Sequence, residues 1–159
     1  MNRLDSTGPV RKLKNSRRAL TGKVNLEPGG VAGFESSLER DLFLVLDFDP
    51  QVLSIREQPF TLTHIHDGRV RPYTPDALAE YDRERTPTVV YEVKPLEVLR
   101  AEWHALRPRF KAAVAYCSQR DWQFKIVTER HIRTPYLDNA KFLRIYRAME
   151  PLLVRQAQL

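Results

Sequence analysis

The segment Thr88–Lys94 constrains the fold of this chain more than any other. It is rich in β-branched residues, it is short, and Pro95 ends it, so it reads as a strand. Side chains alternate faces along a strand, which puts Val89, Tyr91 and Val93 on one side and Glu92 with Lys94 on the other. The apolar side packs on a core. The opposite side presents a carboxylate and an ammonium together. A second segment, Val70–Tyr81, also reads as a strand, and the charged turn Asp82–Pro87 joins the two. If they are neighbours, Asp76 lies near Glu92, and two carboxylates share a patch with one ammonium.

The pattern around this pair is α/β. Ser36 opens a helix whose stripe is Leu38, Leu42, Val45 and Leu46, and Asp49-Pro50 stops it. Val52–Arg56 and Phe60–His66 read as strands, followed by an Asp67-Gly68 turn. A helical period begins at Leu96 with Leu99, Trp103 and Leu106 on one face. Pro108 is expected to break or restart it, and Phe110, Ala113, Val114 and Cys117 continue it to about Arg120. Trp122–Thr128 is a further strand, and a last amphipathic helix follows Asp138 with Phe142, Tyr146 and Met149 inward. Pro28-Gly29-Gly30 marks Val24–Gly33 as a loop. The order predicts a mixed β-sheet flanked by helices.

Composition bounds the class. The 159 residues suit one domain, and 42% hydrophobic residues support a core without disulfide staples. Cys117 is the lone cysteine, which excludes an internal disulfide and a zinc knuckle and fits reducing cytoplasm. No apolar run approaches the ~20 residues of a membrane span, and no signal-peptide pattern follows the N-terminus. The net charge of +6 is concentrated in residues 1–23, where seven basic side chains face Asp5, and the rest of the chain balances. Residues 1–23 therefore read as a basic, flexible N-terminal arm. Arg11, Lys12, Lys14, Arg17, Arg18 and Lys23 are its candidate contacts to a polyanion such as DNA, since neutralising phosphates releases counterions. A solvated tail accounts for the same charges.

Phosphodiester hydrolysis calls for a set such as Asp76, Glu92 and Lys94. Carboxylate oxygens suit Mg²⁺, and a lysine can orient the attacking water and offset transition-state charge. A surface strand with one ion pair would show the same residues. Glu39 has two readings as well. Ser36-x-x-Glu39 is a capping box, and Glu39 also stands on the shoulder of the apolar stripe, able to face a cleft, with Glu35 a weaker competitor. Gln58 precedes Pro59 and is expected to be extended. His64 and His66 share a strand face as a partly exposed pair, Trp103 and Trp122 read as core, and Cys117 reads as a buried, unreactive thiol.

Five blocks carry a family resemblance. Phe34-Glu35-Ser36-Ser37-Leu38-Glu39-Arg40-Asp41, Ser54-Ile55-Arg56-Glu57-Gln58-Pro59-Phe60, Tyr73-Thr74-Pro75-Asp76, Tyr91-Glu92-Val93-Lys94-Pro95 and the run from Trp122 to Glu129 resemble the N-terminal domain of the TnsA transposon endonucleases. The likeness extends over about Val24 to Arg147. It implies a restriction-endonuclease-like core over residues 24–150, followed by a C-terminal tail at 151–159. It implies a metal-dependent DNA endonuclease, a phosphodiester hydrolase using Mg²⁺ with Mn²⁺ as substitute, that cuts the 5′ ends of a mobile element. By motif position, Asp76 and Glu92 are metal ligands, Lys94 is the catalytic lysine and Glu39 completes the acidic site. The Val93 carbonyl is an additional ligand, and Gln58 borders the site. The implied partners are DNA, a TnsB-type recombinase and a TnsC-type ATPase, in a prokaryotic cytoplasm or encoded by a phage or mobile element. Fuller family members continue into a winged-helix-like domain, and the sequence ending at Leu159 leaves coupling to the ATPase open. A stand-alone restriction- or repair-type nuclease and a non-catalytic DNA-binding assembly module of the same fold remain alternatives.

Overall fold

A computed structural model describes residues 22–26, 29–82, 84 and 86–156, with side chains through residue 146. Two strands, β1 (Gly22–Leu26) and β2 (Gly30–Phe34), form an antiparallel hairpin where a loop is expected. The Pro-Gly-Gly signal lies at the connection between two strands. Val24, Leu26, Ala32 and Phe34 alternate inward and are buried, and this burial makes the segment a hairpin. Helix α1 (Ser37–Phe48) follows with Ser36 as its N-cap, accepting the Glu39 N–H at 3.1 Å. Its buried stripe is Leu38, Leu42, Phe43 and Leu46.

The central sheet has four strands in the order β3-β6-β7-β8, namely β3 (Val52–Glu57), β6 (Ala77–Tyr81), β7 (Val89–Val93) and β8 (Gln123–Val127). The first two pairings are antiparallel and β7–β8 is parallel. All of β7 is buried. One face of the sheet, with Ala77, Ala79, Val89, Tyr91 and Val93, packs against the α1 stripe. The other, with Leu78 and Val90, packs against Cys117, Phe60, Trp122 and Phe124. Glu92 thus sits on a face that is also covered.

The segment 70–81 is two strands where one is expected. β5 (Arg69–Tyr73) pairs with β4 (Leu62–His66) in a separate ribbon, and β6 starts at Ala77. Pro75 supplies no N–H to a ladder, so pairing stops there and the chain passes from ribbon to sheet. The turn at Asp67-Gly68 is as expected. Both residues have positive φ, 49° and 69°, the conformation of a tight two-residue hairpin turn.

The helical segment after Pro95 also divides elsewhere than expected. α2 (Leu96–Ala101) ends at Glu102, whose ψ of 13° leaves helical values, and α3 (Trp103–Ser118) runs through Pro108. Pro108 stands just past the first turn of α3, so it forfeits one backbone bond without ending the helix. Trp103 is 42% exposed rather than core, whereas Trp122 is partly buried against Phe60. The short α4 (Glu129–Ile132) precedes α5 (Pro135–Gln156). Phe142 and Tyr146 are exposed, contrary to expectation, because Leu137 and Ala140 are the residues buried on this helix. Met149 lies outside the described side chains. α5 runs through position 150, and β1 includes Gly22 and Lys23.

Asp41 ties these helices together. Its buried carboxylate takes Arg40 at 2.9 Å, Arg133 at 3.0 Å and Lys141 at 3.3 Å. No helix among the described residues is long and apolar enough to cross a membrane.

Candidate active site

The cleft that matters opens at one end of the sheet, where β6 begins and β7 ends. The first turn of α1 lines it with Glu39, the residue before its N-cap with Glu35, α3 with Arg109, and the base of the β4–β5 ribbon with Thr61, Pro72, Tyr73 and Thr74. Asp76, Glu92 and Lys94 complete the lining of a space of about 380 Å³.

The break at Pro75 positions Asp76. Its backbone N–H still donates to the Tyr91 carbonyl at 3.1 Å and its carbonyl accepts from Gln58 N–H at 3.0 Å. The side chain turns toward β7, where Oδ2 accepts the Val93 N–H at 2.7 Å. Burial raises the Asp76 carboxyl well above the ordinary carboxylate range. Repulsion from Glu92 adds to this, Lys94 opposes it, and Glu39 adds a further increment.

Glu92 is buried, 2% exposed, and both its oxygens are engaged. Tyr73 donates its hydroxyl to Oε2 at 2.7 Å, while Lys94 Nζ stands 3.0 Å and Arg109 Nη2 3.2 Å from Oε1. The Arg109 guanidinium lies 5.3 Å from the centroids of both the Tyr73 and Phe110 rings. Burial depresses the Lys94 ammonium, yet Glu92 and Asp76 outweigh it and its pKa is raised. Lys94 is therefore a firmly held cation. Its Nζ also donates to the Val93 carbonyl at 3.0 Å, and its backbone N–H is fixed on Val127 at 3.0 Å.

The structure thus brings Asp76, Glu92, Val93 and Lys94 together, as the strand pattern requires. Glu39 lines the same cleft and acts electrostatically on Asp76, while its oxygens face its own helix end. Oε2 accepts the Glu35 N–H at 2.8 Å and Oε1 the Ser36 hydroxyl at 2.9 Å. Glu39 therefore borders the cleft, and its carboxylate passes the expected N-cap N–H of Ser36 to take the Glu35 N–H and the Ser36 hydroxyl. Burial raises its carboxyl above the usual range, more than these hydrogen bonds and Lys94 lower it. Gln58 borders the site through Glu35, with Nε2 3.4 Å from Oε1, but its backbone is left-handed, φ 41°, rather than extended. Its N–H is drawn to Asp76, a contact that holds it in this strained region.

Of the arm, Arg11, Lys12, Lys14, Arg17 and Arg18 lie outside the described residues. Lys23 is exposed on β1 and acts on Glu57, outside the cleft. Cys117 is buried and its thiol is pushed up to about 11, consistent with an unreactive core residue. Tyr73 and Arg109 are functional candidates that sequence reasoning missed. For Arg109 a signal exists, since it falls within the buried stripe of Leu106, Phe110 and Ala113 at helical spacing. A cation there needs a buried partner.

The TnsA-like endonuclease N-terminal family matches residues 49–129, a span that holds Asp76, Glu92, Lys94 and Arg109. The chain belongs to this family. Its α/β architecture, a mixed sheet with flanking helices, is the restriction-endonuclease-like core that the resemblance implies. No curated protein matches the chain. The TnsA-like match begins after α1, so it leaves Glu39 to be judged by geometry alone.

A divalent ion is the group this family resemblance implies. The donors are hard oxygens, the carboxylates of Glu35, Glu39, Asp76 and Glu92, which line the cleft beside Lys94 and Arg109. Burial first, and then repulsion from Glu92 and Glu39, raises the Asp76 carboxyl in this space. In donor type the set fits Mg²⁺. Among the described residues no three acidic, histidine or cysteine side chains already stand at ligating spacing. The reason is local: Glu39 is folded onto its helix end and Glu92 is held by three donors.

Proposed function

We propose that this chain is a Mg²⁺-dependent DNA endonuclease subunit that hydrolyses phosphodiesters at the 5′ ends of a mobile element. The observation that carries the proposal is the meeting of Asp76, Glu92 and Lys94 at the open end of β7, in a cleft that Glu39 also lines. Asp76 and Glu92 would hold the ion, with the Val93 carbonyl beside them and Glu39 available once it turns from its cap. The bound ion would polarise the phosphoryl oxygens and make water a stronger nucleophile at neutral pH. Mn²⁺ has the same preference for oxygen ligands.

The protein supplies the rest. Lys94, charged and fixed by Glu92 and Val93, orients the attacking water and balances charge as the phosphorus–oxygen bond breaks. In-line attack leaves a 5′-phosphate and a 3′-hydroxyl. Tyr73 and Arg109 hold Glu92 from the far side, so that its carboxylate keeps its aim. A TnsB-type recombinase would process the opposite strand, and a TnsC-type ATPase would regulate the pair.

The test is a nicking assay on supercoiled DNA and on element-end DNA, with and without a recombinase partner, in Mg²⁺ and in Ca²⁺. Mg²⁺-dependent nicks at the 5′ ends of the element, absent in Ca²⁺, are the expected result. Cutting of arbitrary DNA without a recombinase would instead indicate a stand-alone nuclease. No cutting under any partner condition would leave an assembly module.

A further inference from the structure

The β4–β5 ribbon leaves the cleft as a cationic strip. Residues 62–73 contain His64, His66, Arg69 and Arg71 against one acid, Asp67, which lies 3.4 Å from His66. The register pairs Leu62 with Tyr73, His64 with Arg71 and His66 with Arg69, so these three pairs share one face. Tyr73 lines the cleft and donates to Glu92. Stepping outward by two residues at a time, the same face of β5 carries Arg71 and then Arg69, each about 7 Å beyond the last. Both arginines are exposed, and neither makes an ion pair among the described residues. Two unneutralised guanidinium groups in line with an acidic cleft suit a polyanion whose backbone enters that cleft.

We infer that this ribbon is a DNA-tracking arm, in which Arg71 and Arg69 hold the backbone phosphates next to the one that is cut. The inference rests on the nuclease reading and adds the direction in which the DNA leaves the site. Guanidinium groups suit phosphate oxygens through paired N–H donors. Each phosphate so neutralised contributes about 0.9 to the slope of log affinity against log salt. The opposite face of the ribbon carries Ile65 and Val70, 69% and 70% exposed and paired across the strands. It provides an internal control.

The experiment measures binding of the full chain to a fluorescent DNA duplex by anisotropy in Ca²⁺, over a series of salt concentrations. The variants are a double Arg69→Ala/Arg71→Ala and a double Ile65→Ser/Val70→Ser, and circular dichroism verifies that each is folded. The arginine variant is expected to bind about tenfold more weakly and to shallow the salt slope by about 1 to 2. The Ile65/Val70 variant is expected to keep the wild-type slope. An unchanged slope in the arginine variant, while the wild type binds and cuts, would overturn the tracking arm alone. An equal change in both variants would also overturn it, since the effect would then belong to the ribbon's fold. Loss of recombinase binding with unaltered DNA binding would assign the ribbon to a protein partner and overturn it too. A wild type that binds no DNA would overturn the tracking arm, whereas only the absence of cutting under every partner condition would remove the nuclease reading beneath it.

Discussion

The Asp76 carboxylate accepts the Val93 N–H at 2.7 Å, which makes a side chain the last rung of the β6–β7 ladder. The Val93 N–H finds its acceptor in this side chain rather than in a backbone carbonyl. The bond fixes Asp76 next to Glu92 although the two repel. Asp76→Asn keeps an oxygen for Val93 and removes the buried charge. Its melting temperature in EDTA is predicted to equal or exceed that of the wild type. Cleavage is predicted to fall by at least ~100-fold, as expected on losing several kcal/mol of metal-assisted stabilisation. Mg²⁺ should raise the melting temperature of the wild type and leave that of the variant unmoved. Thermal denaturation with and without the ion checks both statements.

Arg109 is predicted to matter for the fold as well as for the site. It is mostly buried, bonds a buried carboxylate and lies near two rings. Arg109→Ala removes a charged hydrogen bond and should cost about 1–3 kcal/mol in urea denaturation. Arg109→Lys should recover only part of this, because an ammonium cannot reproduce the planar contact with Tyr73. Cleavage by either variant should fall with DNA affinity retained, since Glu92 loses one of the donors that aim it.

Acid should loosen the helical layer at Asp41. Burial would raise this carboxyl, but the hydrogen bonds from Arg40, Arg133 and Lys141 outweigh it and hold its pKa below the ordinary value. A carboxyl depressed on folding stabilises the folded state above its unfolded pKa. That contribution is lost as pH falls through the lowered value, below about pH 4. Asp41→Asn should cost about 1–2 kcal/mol near neutrality, the modest figure reflecting how far its three cations reach into solvent. It should also flatten the acid limb of the stability curve, which denaturation across pH 2–7 would show.

The parts of the fold that were legible in sequence are those with a local cause. The α1 cap at Ser36, the Asp67-Gly68 turn and the alternation of Val89, Tyr91 and Val93 each follow from neighbouring residues. So does the facing of Glu92 and Lys94. What could not be read depended on partners far along the chain. Phe142 and Tyr146 have an inward pattern, yet Leu137 and Ala140 are the residues buried where α5 packs on the rest of the fold, which the sequence of α5 does not disclose. The left-handed turn at Gln58 depends on Asp76, 18 positions away. Tyr73 meets Glu92 from 19 positions away, and Arg109, although its place in an apolar stripe hints at a buried partner, does not name Glu92 as that partner. Glu39 shows a third case: it borders the cleft, while its carboxylate reaches one residue past the N-cap to the Glu35 N–H, which the Ser-x-x-Glu spacing does not disclose.

The central claim is that an ammonium held by Glu92 and Val93 does chemistry on a phosphodiester. Lys94→Ala tests it most directly, assayed for nicking of supercoiled DNA at saturating Mg²⁺ with DNA binding measured in parallel. The expected result is loss of cleavage with DNA affinity within a few-fold of the wild type. Nicking at the wild-type rate by the folded variant would contradict the account.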